Sequence, residues 1–122
     1  MDWEFKKGVP IYIQIIEKIE FDLLSGKYKV GEKLPSVREL AMEANVNPNT
    51  MQKAFSEMER MELIFTERTS GRYVTTDQTK IDALKKELSK KYVDEFFDTL
   101  HSLGFDDNEI LNAVNTKCKG EE

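Results

Sequence analysis

Two short apolar-faced segments meet at Asn45-Val46-Asn47, with a proline directly after, and this break constrains the fold more than any other feature. Upstream, Ser36 and Glu39 form an S-x-x-E capping box, in which hydroxyl and carboxylate each satisfy a free N–H of a helical first turn. Val37, Leu40, Ala41 and Ala44 then give one apolar face over about nine residues, too short to stand without tertiary packing. At the break Asn45 tolerates the left-handed conformation and Val46 points inward. Asn47 caps the next helix, with Pro48 at its first position. Met51, Ala54, Phe55, Met58 and Met61 line the inner face of that helix, and its first two turns present Asn49, Gln52, Lys53 and Ser56 outward.

The flanks complete the pattern. A first helix begins at Pro10 and carries Ile11, Ile15, Ile19 and Leu23, widened by Ile16 and Leu24 into a buried stripe, until Gly26 stops it. Trp3 and Phe5 read as an apolar arm over the core, and Lys27 to Pro35 as a connector. After Leu63 the period changes to two. Leu63–Glu67 and Arg72–Thr75 predict a hairpin around Arg68-Thr69-Ser70-Gly71. Helix, helix-turn-helix and hairpin in this order make a winged helix-turn-helix over residues 1–76, so the chain is mainly α with a small β wing.

From about Asp77 the chain is again helical. Ile81, Leu84, Leu88, Tyr92, Phe96, Leu100 and Leu103 recur every three or four residues until Gly104. Asp106 and Glu109 form a second capping box, Phe105 can staple to Ile110, and Ile110, Leu111, Val114 and Cys118 line the last face. Residues 77–122 therefore predict a two-helix hairpin with no domain of its own to bury it against. An apolar stripe of this kind calls for a partner. Two copies can cover Leu84, Leu88, Tyr92, Phe96, Leu100, Leu103, Ile110 and Val114 across a two-fold axis, giving a homodimer. The other cover is the chain's own winged helix.

A helix that enters a major groove about 12 Å wide needs small or polar side chains on its first turns. Asn49 and Gln52 are types that pair with adenine, and Lys53 suits guanine or phosphate. Ser36 lies at a helix N-terminus, which favours phosphate, with Arg38 two residues on. Arg68 and Arg72 bracket the hairpin tip, and arginine suits a minor groove. The bland counterpart is a solvated turn whose arginines pair with Glu67. The net charge of -5 weighs against nucleic acid, but between Ala44 and Ser56 the only charged side chain is Lys53. Screening beyond about 8–10 Å makes local sign the relevant quantity.

The run GEKLPSVRELAMEANVNPNTMQKAFSEMERMELIFTERTSGRYVT, with P-I-Y-x-Q-I upstream, resembles the DNA-binding domain of GntR-type bacterial regulators over residues 9–76. The short helical tail is similar to the YtrA subgroup of that family, which implies dimerisation. By position the resemblance implies that the family's second-helix arginine falls on Arg38. Its recognition-helix contacts fall on Asn47, Pro48, Asn49, Thr50 and Gln52, and its wing contacts on Ser70, Gly71 and Arg72. Many members carry basic residues where this chain has Pro48 and Gln52, so base preference does not transfer. The implied function is repression at a palindromic, double-stranded operator bound by a homodimer.

Other classes fare worse. One histidine, His101, and one cysteine, Cys118, give no nucleophile–base pair and no clustered metal ligands, and no Gly-rich phosphate loop appears. The chain therefore reads as no enzyme, with neither cofactor nor metal. A winged helix serving a protein partner is the rival that the acidic total favours. Tyr92, Phe96, Phe97 and Phe105 with the tail's helices could border a cavity between subunits for a small-molecule effector, though aromatics at helical spacing are more often core. A single cysteine, no secretory h-region at the start and no long apolar run point to the cytoplasm, away from membranes.

Overall fold

The computed structural model describes residues 3–120, and the chain divides into two compact units, Met1–Leu84 and Lys85–Glu122. The first holds helices α1 (Ile11–Ser25), α2 (Val37–Ala44) and α3 (Pro48–Arg60), followed by strands β1 (Ile64–Glu67) and β2 (Gly71–Val74). Helix α4 (Gln78–Ser102) carries the division within it, and α5 (Asp107–Cys118) completes the second unit. Among the described residues no helix is long and apolar enough to cross a membrane.

Short-range capping sets the helix ends. Both halves of the Ser36–Glu39 box form, at 3.0 and 3.3 Å. Asn45 takes the left-handed conformation, φ 57°, and its N–H reaches the carbonyls of Ala41 and Met42. Asn47 Oδ1 accepts from the Asn49 N–H at 2.8 Å, with Pro48 opening α3. Pro10 sits one place earlier than expected, outside α1 as its cap, with an extended ψ of 137°. There the Gln14 side chain ties the preceding arm down, pairing with Lys6 N–H and the carbonyls of Lys6 and Val9.

Helix α3 is the hub. Met51, Ala54, Phe55 and Met58 are all buried, and the helix packs on α1, α2 and β1 at once. The buried stripe of α1 runs through Ile15, Ile19 and Leu23, whereas Ile11, expected to belong to it, is 42% exposed in the first turn. Met61, placed on the inner face of α3 by its spacing, is likewise exposed, because the helix has ended there. Three charged residues of α1, Lys18, Glu20 and Asp22, are buried as well. Lys18 and Asp22, one turn apart, pair at 2.6 Å, which burial of either charge requires. Trp3 lies over the Lys18 ammonium, 5.0 Å away, and donates from its indole N–H to Glu43, so the arm does cover this part of the unit. Nearby, burial pushes the Tyr28 phenol above its usual range, aided by the Asp22 carboxylate.

The wing is an antiparallel pair in which Ile64 faces Val74 and Glu67 faces Gly71. Gly71 has φ 120°, a conformation that side chains disfavour, and a Cβ there would lie 3.1 Å from Lys33 Cε. The segment read as a plain connector contributes too. Lys33 bridges Tyr73, the Leu34 N–H donates to the Arg72 carbonyl, and the Glu32 carbonyl accepts from Val74. The wing is thus braced along both edges of β2.

Between α3 and β1 the chain turns through Glu62, a non-glycine residue at φ 62°, whose carboxylate pairs with Lys80 at 2.8 Å and raises that amine's pKa. Asp77 precedes α4, and the Thr79 hydroxyl and N–H hold its carboxyl below the usual range. In the second unit Asp106 and Glu109 make the expected reciprocal cap, and His101 Nε2 lies 2.6 Å from Asp107 Oδ1.

Two substitutions separate these local effects. Ser36→Ala should cost about 1 kcal/mol through the lost cap. Glu62→Gly removes a left-handed penalty of about 1–2 kcal/mol and gives up only an exposed ion pair, so its melting temperature should rise. Thermal unfolding followed by circular dichroism checks both.

Candidate nucleic-acid interface

The outward side of α3 begins with Asn47, Pro48 and Asn49, all exposed, and continues through Lys53 and Ser56. Thr50 and Gln52 are half-buried along its edge. Apolar packing behind fixes this face, since Met51, Ala54 and Phe55 alternate with it around the helix. Arg38 is exposed on the first turn of α2, and the Ser36 hydroxyl is occupied as that helix's cap. Arg68 and Ser70 lie exposed in the hairpin turn, beside Gly71 at its end. The Tyr73 hydroxyl donates to Ser70 Oγ at 2.9 Å, tying one side of the turn to β2.

The two wing arginines occupy different places. Arg68 is exposed at the tip, whereas Arg72 lies on the face of β2 that also carries buried Val74. Side chains two apart share a strand face, so Arg72 points toward α3. Its Nε donates to Glu59 Oε1 at 3.0 Å and its Nη2 to Gln52 Oε1 at 3.3 Å, with the guanidinium carbon 5.6 Å from the Phe55 ring centre. Its carboxylate partner is Glu59, not Glu67. Lys53 is also engaged: its ammonium sits 4.0 Å over the Tyr12 ring, joining α3 to α1.

Glu59 and Tyr12 are the functional neighbours that sequence reasoning overlooked. A signal for Glu59 was present. Gln52, Ser56 and Glu59 fall at i, i+4 and i+7, one stripe of α3, and the alternation from Val74 aims Arg72 at a neighbouring helix. Nothing local marked Tyr12. Among the described residues no group of His, Cys, Asp or Glu is placed to hold a metal ion.

The pattern of the bacterial regulatory proteins of the gntR family matches residues 11–74, the stretch that spans α1 to β2. The chain belongs to the GntR family. Across 98% of its length and 99% of the relative's it is 37% identical to an uncharacterized HTH-type transcriptional regulator, YhcF, of Bacillus subtilis. It is 38% identical over 98 residues to the HTH-type transcriptional repressor YtrA of the same organism, covering 75% of each chain. A GntR family transcriptional regulator from Listeria monocytogenes superposes with a TM-score of 0.84 at 38% identity, over 92% of this chain and 98% of that one. The DNA-binding domain of AraR, solved in complex with operator ORX1, matches 59% of this chain and 93% of its own, at 25% identity and a TM-score of 0.55. This GntR chain is a DNA-binding transcriptional regulator with a winged helix-turn-helix, and its partner is DNA.

On this geometry Arg38→Ala should weaken binding to a selected duplex by about 1–3 kcal/mol, as expected for loss of a base contact, and leave thermal stability unchanged. Fluorescence anisotropy and a melting curve on the same sample test the pair. Equal affinity of mutant and wild type would remove Arg38 from the interface.

Proposed function

We propose that the protein is a repressor that binds a palindromic operator as a homodimer, with α3 in the major groove and the hairpin tip at the adjacent minor groove. The observation that carries this reading is the outward face of α3. Over its first two turns Asn47, Pro48, Asn49, Lys53 and Ser56 stand exposed with no carboxylate among them. In a chain of net charge -5 that local exemption is what a phosphate-lined groove requires. Asn49 and Thr50 are within the turns that meet base edges, Arg38 approaches from α2, and Arg68 with Ser70 and Gly71 serves the wing. Repression rests on the likeness to YtrA, which carries that name.

The second unit supports association. Tyr92, Phe96 and Leu103 are exposed, and Leu88, Leu100 and Val114 are half-buried. Leu84 and Ile110, counted in the same stripe from their spacing, are already buried in the single chain, so the dimer face is built from the other six. Leu84 closes the first unit, and Ile110 lies beside Leu100 and Phe105 inside the α4–α5 hairpin. Joining two modestly charged heads raises effective concentration at paired half-sites. The same hairpin has a cleft of about 290 Å³ lined by Leu100, Phe105, Ile110 and Ala113 with Glu109 and Asn112 at its polar side, a candidate place for a small-molecule effector. The cytoplasm is the place of action.

Selection from random duplexes should return a palindrome with half-sites about one helical turn apart. Its affinity should fall steeply with salt as counterions are released. No enrichment even at low salt would overturn operator binding in favour of a protein partner. Leu88→Asp combined with Phe96→Asp should sediment as a monomer and lose most operator affinity. A dimer persisting in that variant would remove the tail from the interface.

A further inference from the structure

The contact between Arg72 and α3 carries a consequence for how bases are read. We propose that Glu59 stands in for a DNA phosphate at Arg72, so that Arg72 acts as a positioning residue for Gln52 rather than as a DNA contact. This inference rests on the reading of α3 as the recognition helix.

Arg72 is fixed at both ends. Its backbone faces Thr66 across the hairpin, and its carbonyl accepts from Leu34 on the other edge. The side chain, only 25% exposed, crosses the Phe55 ring to reach Glu59. A carboxylate offers a guanidinium the same charge and acceptor atoms as a phosphate oxygen does. Glu59 and Gln52 take two of the five guanidinium N–H groups, and a phosphate brought to Arg72 would meet the Glu59 carboxylate beside it with like charge. While the pair is intact Arg72 releases no counterion. With both partners about a quarter to a third exposed, such a pair adds little stability, so its effect is positional.

Gln52 is what it positions. The Gln52 Oε1 accepts from Arg72 Nη2, and the Nε2 donates to Ser56 Oγ at 3.1 Å. The terminal torsion of a free glutamine is broad, but a guanidinium on one side demands the oxygen there. A carboxamide has two lone pairs and two N–H groups, and these contacts use one of each. One acceptor and one donor remain, in fixed order, and that is the complement of the adenine edge in the major groove. Glu59 holds Arg72, Arg72 orients Gln52, and Gln52 reads the base.

Salt dependence and selectivity, measured together on the full-length chain, separate this arrangement from a direct contact. Arg72→Met keeps a long side chain over Phe55 but loses the donor. It should leave the slope of log affinity against log salt unchanged while the preference at one position per half-site drops about ten-fold, the weight of one bidentate pair. Glu59→Gln, nearly isosteric, should release Arg72 to the backbone. The slope then steepens by about 0.9 per protomer, and nonspecific binding of the dimer rises about twelve-fold between 200 and 50 mM salt relative to wild type. If Arg72→Met instead flattens the slope by about 0.9 per protomer, Arg72 touches phosphate and the proposal fails. An unchanged consensus in both variants, with melting curves like wild type, also overturns it. A wild-type chain that selects no sequence overturns the recognition reading itself, which the mutant slopes do not confuse with failure of the strut.

Discussion

Burial of one side of α3 is the interaction on which the rest of the molecule depends. Phe55, Met51, Ala54 and Met58 lie in the core with almost no exposure, gripped by α1, α2 and β1. Deleting an aromatic from such a site costs about 3–5 kcal/mol, a large share of the stability of a domain this size. The packing also does something that stability alone does not describe. It fixes the rotation of α3 about its axis, and a helix that must meet a groove is useful at only one rotation. Core packing and DNA-facing geometry are therefore two sides of one helix.

Charge is managed locally around that helix. The acidic total is compatible with a DNA-facing surface because carboxylates near α3 have partners of their own. Glu57 pairs with Arg60 at 2.6 Å, Glu59 with Arg72, and Glu62 with Lys80. Cations are restrained in the same way, Lys53 by the Tyr12 ring and Arg72 by Glu59. Arg38 beside α3 and Arg68 at the wing tip also stand exposed. Charge at these two places acts with a range of about a Debye length, so the sum over the whole chain has little say.

The features that were legible in the sequence share a physical range. Capping boxes at Ser36–Glu39 and Asp106–Glu109, the left-handed Asn45 and the Asn47–Pro48 start all involve residues within four positions of each other. Their chemistry is written locally, as are the period of α3 and the change to alternation after Leu63. What stayed hidden depends on neighbours distant in the chain. Ile11 fits the apolar stripe yet is left exposed, while Lys18 and Asp22 are buried because each supplies the other's counter-charge beneath Trp3. Lys33 gives no strand signal, and its bridge exists because Tyr73 presents a free edge. Glu62 sits where a glycine would be expected from its positive φ, and composition alone does not announce such a residue. The candidate site divides the same way: residues of the turn and α3 could be named from spacing, but the direction of Arg72 follows only once Val74 is known to enter the core.

That direction changes what a wing is in this fold. A hairpin joined to its domain only through its loops would move independently and read its own groove. Here β2 is held on one edge by β1, on the other by the segment around Lys33, and across its inner face by the Arg72 side chain on α3. Gly71 marks where the restraint ends, since its φ of 120° lets the chain leave the sheet at the point where Arg68 and Ser70 become exposed. The base of the wing and α3 are consequently held together, with the exposed tip beyond these restraints. On the proposed reading, base preference in such a body belongs to the hydrogen-bonded stripe of Gln52, Ser56 and Glu59 together with Arg72, rather than to any one side chain in it.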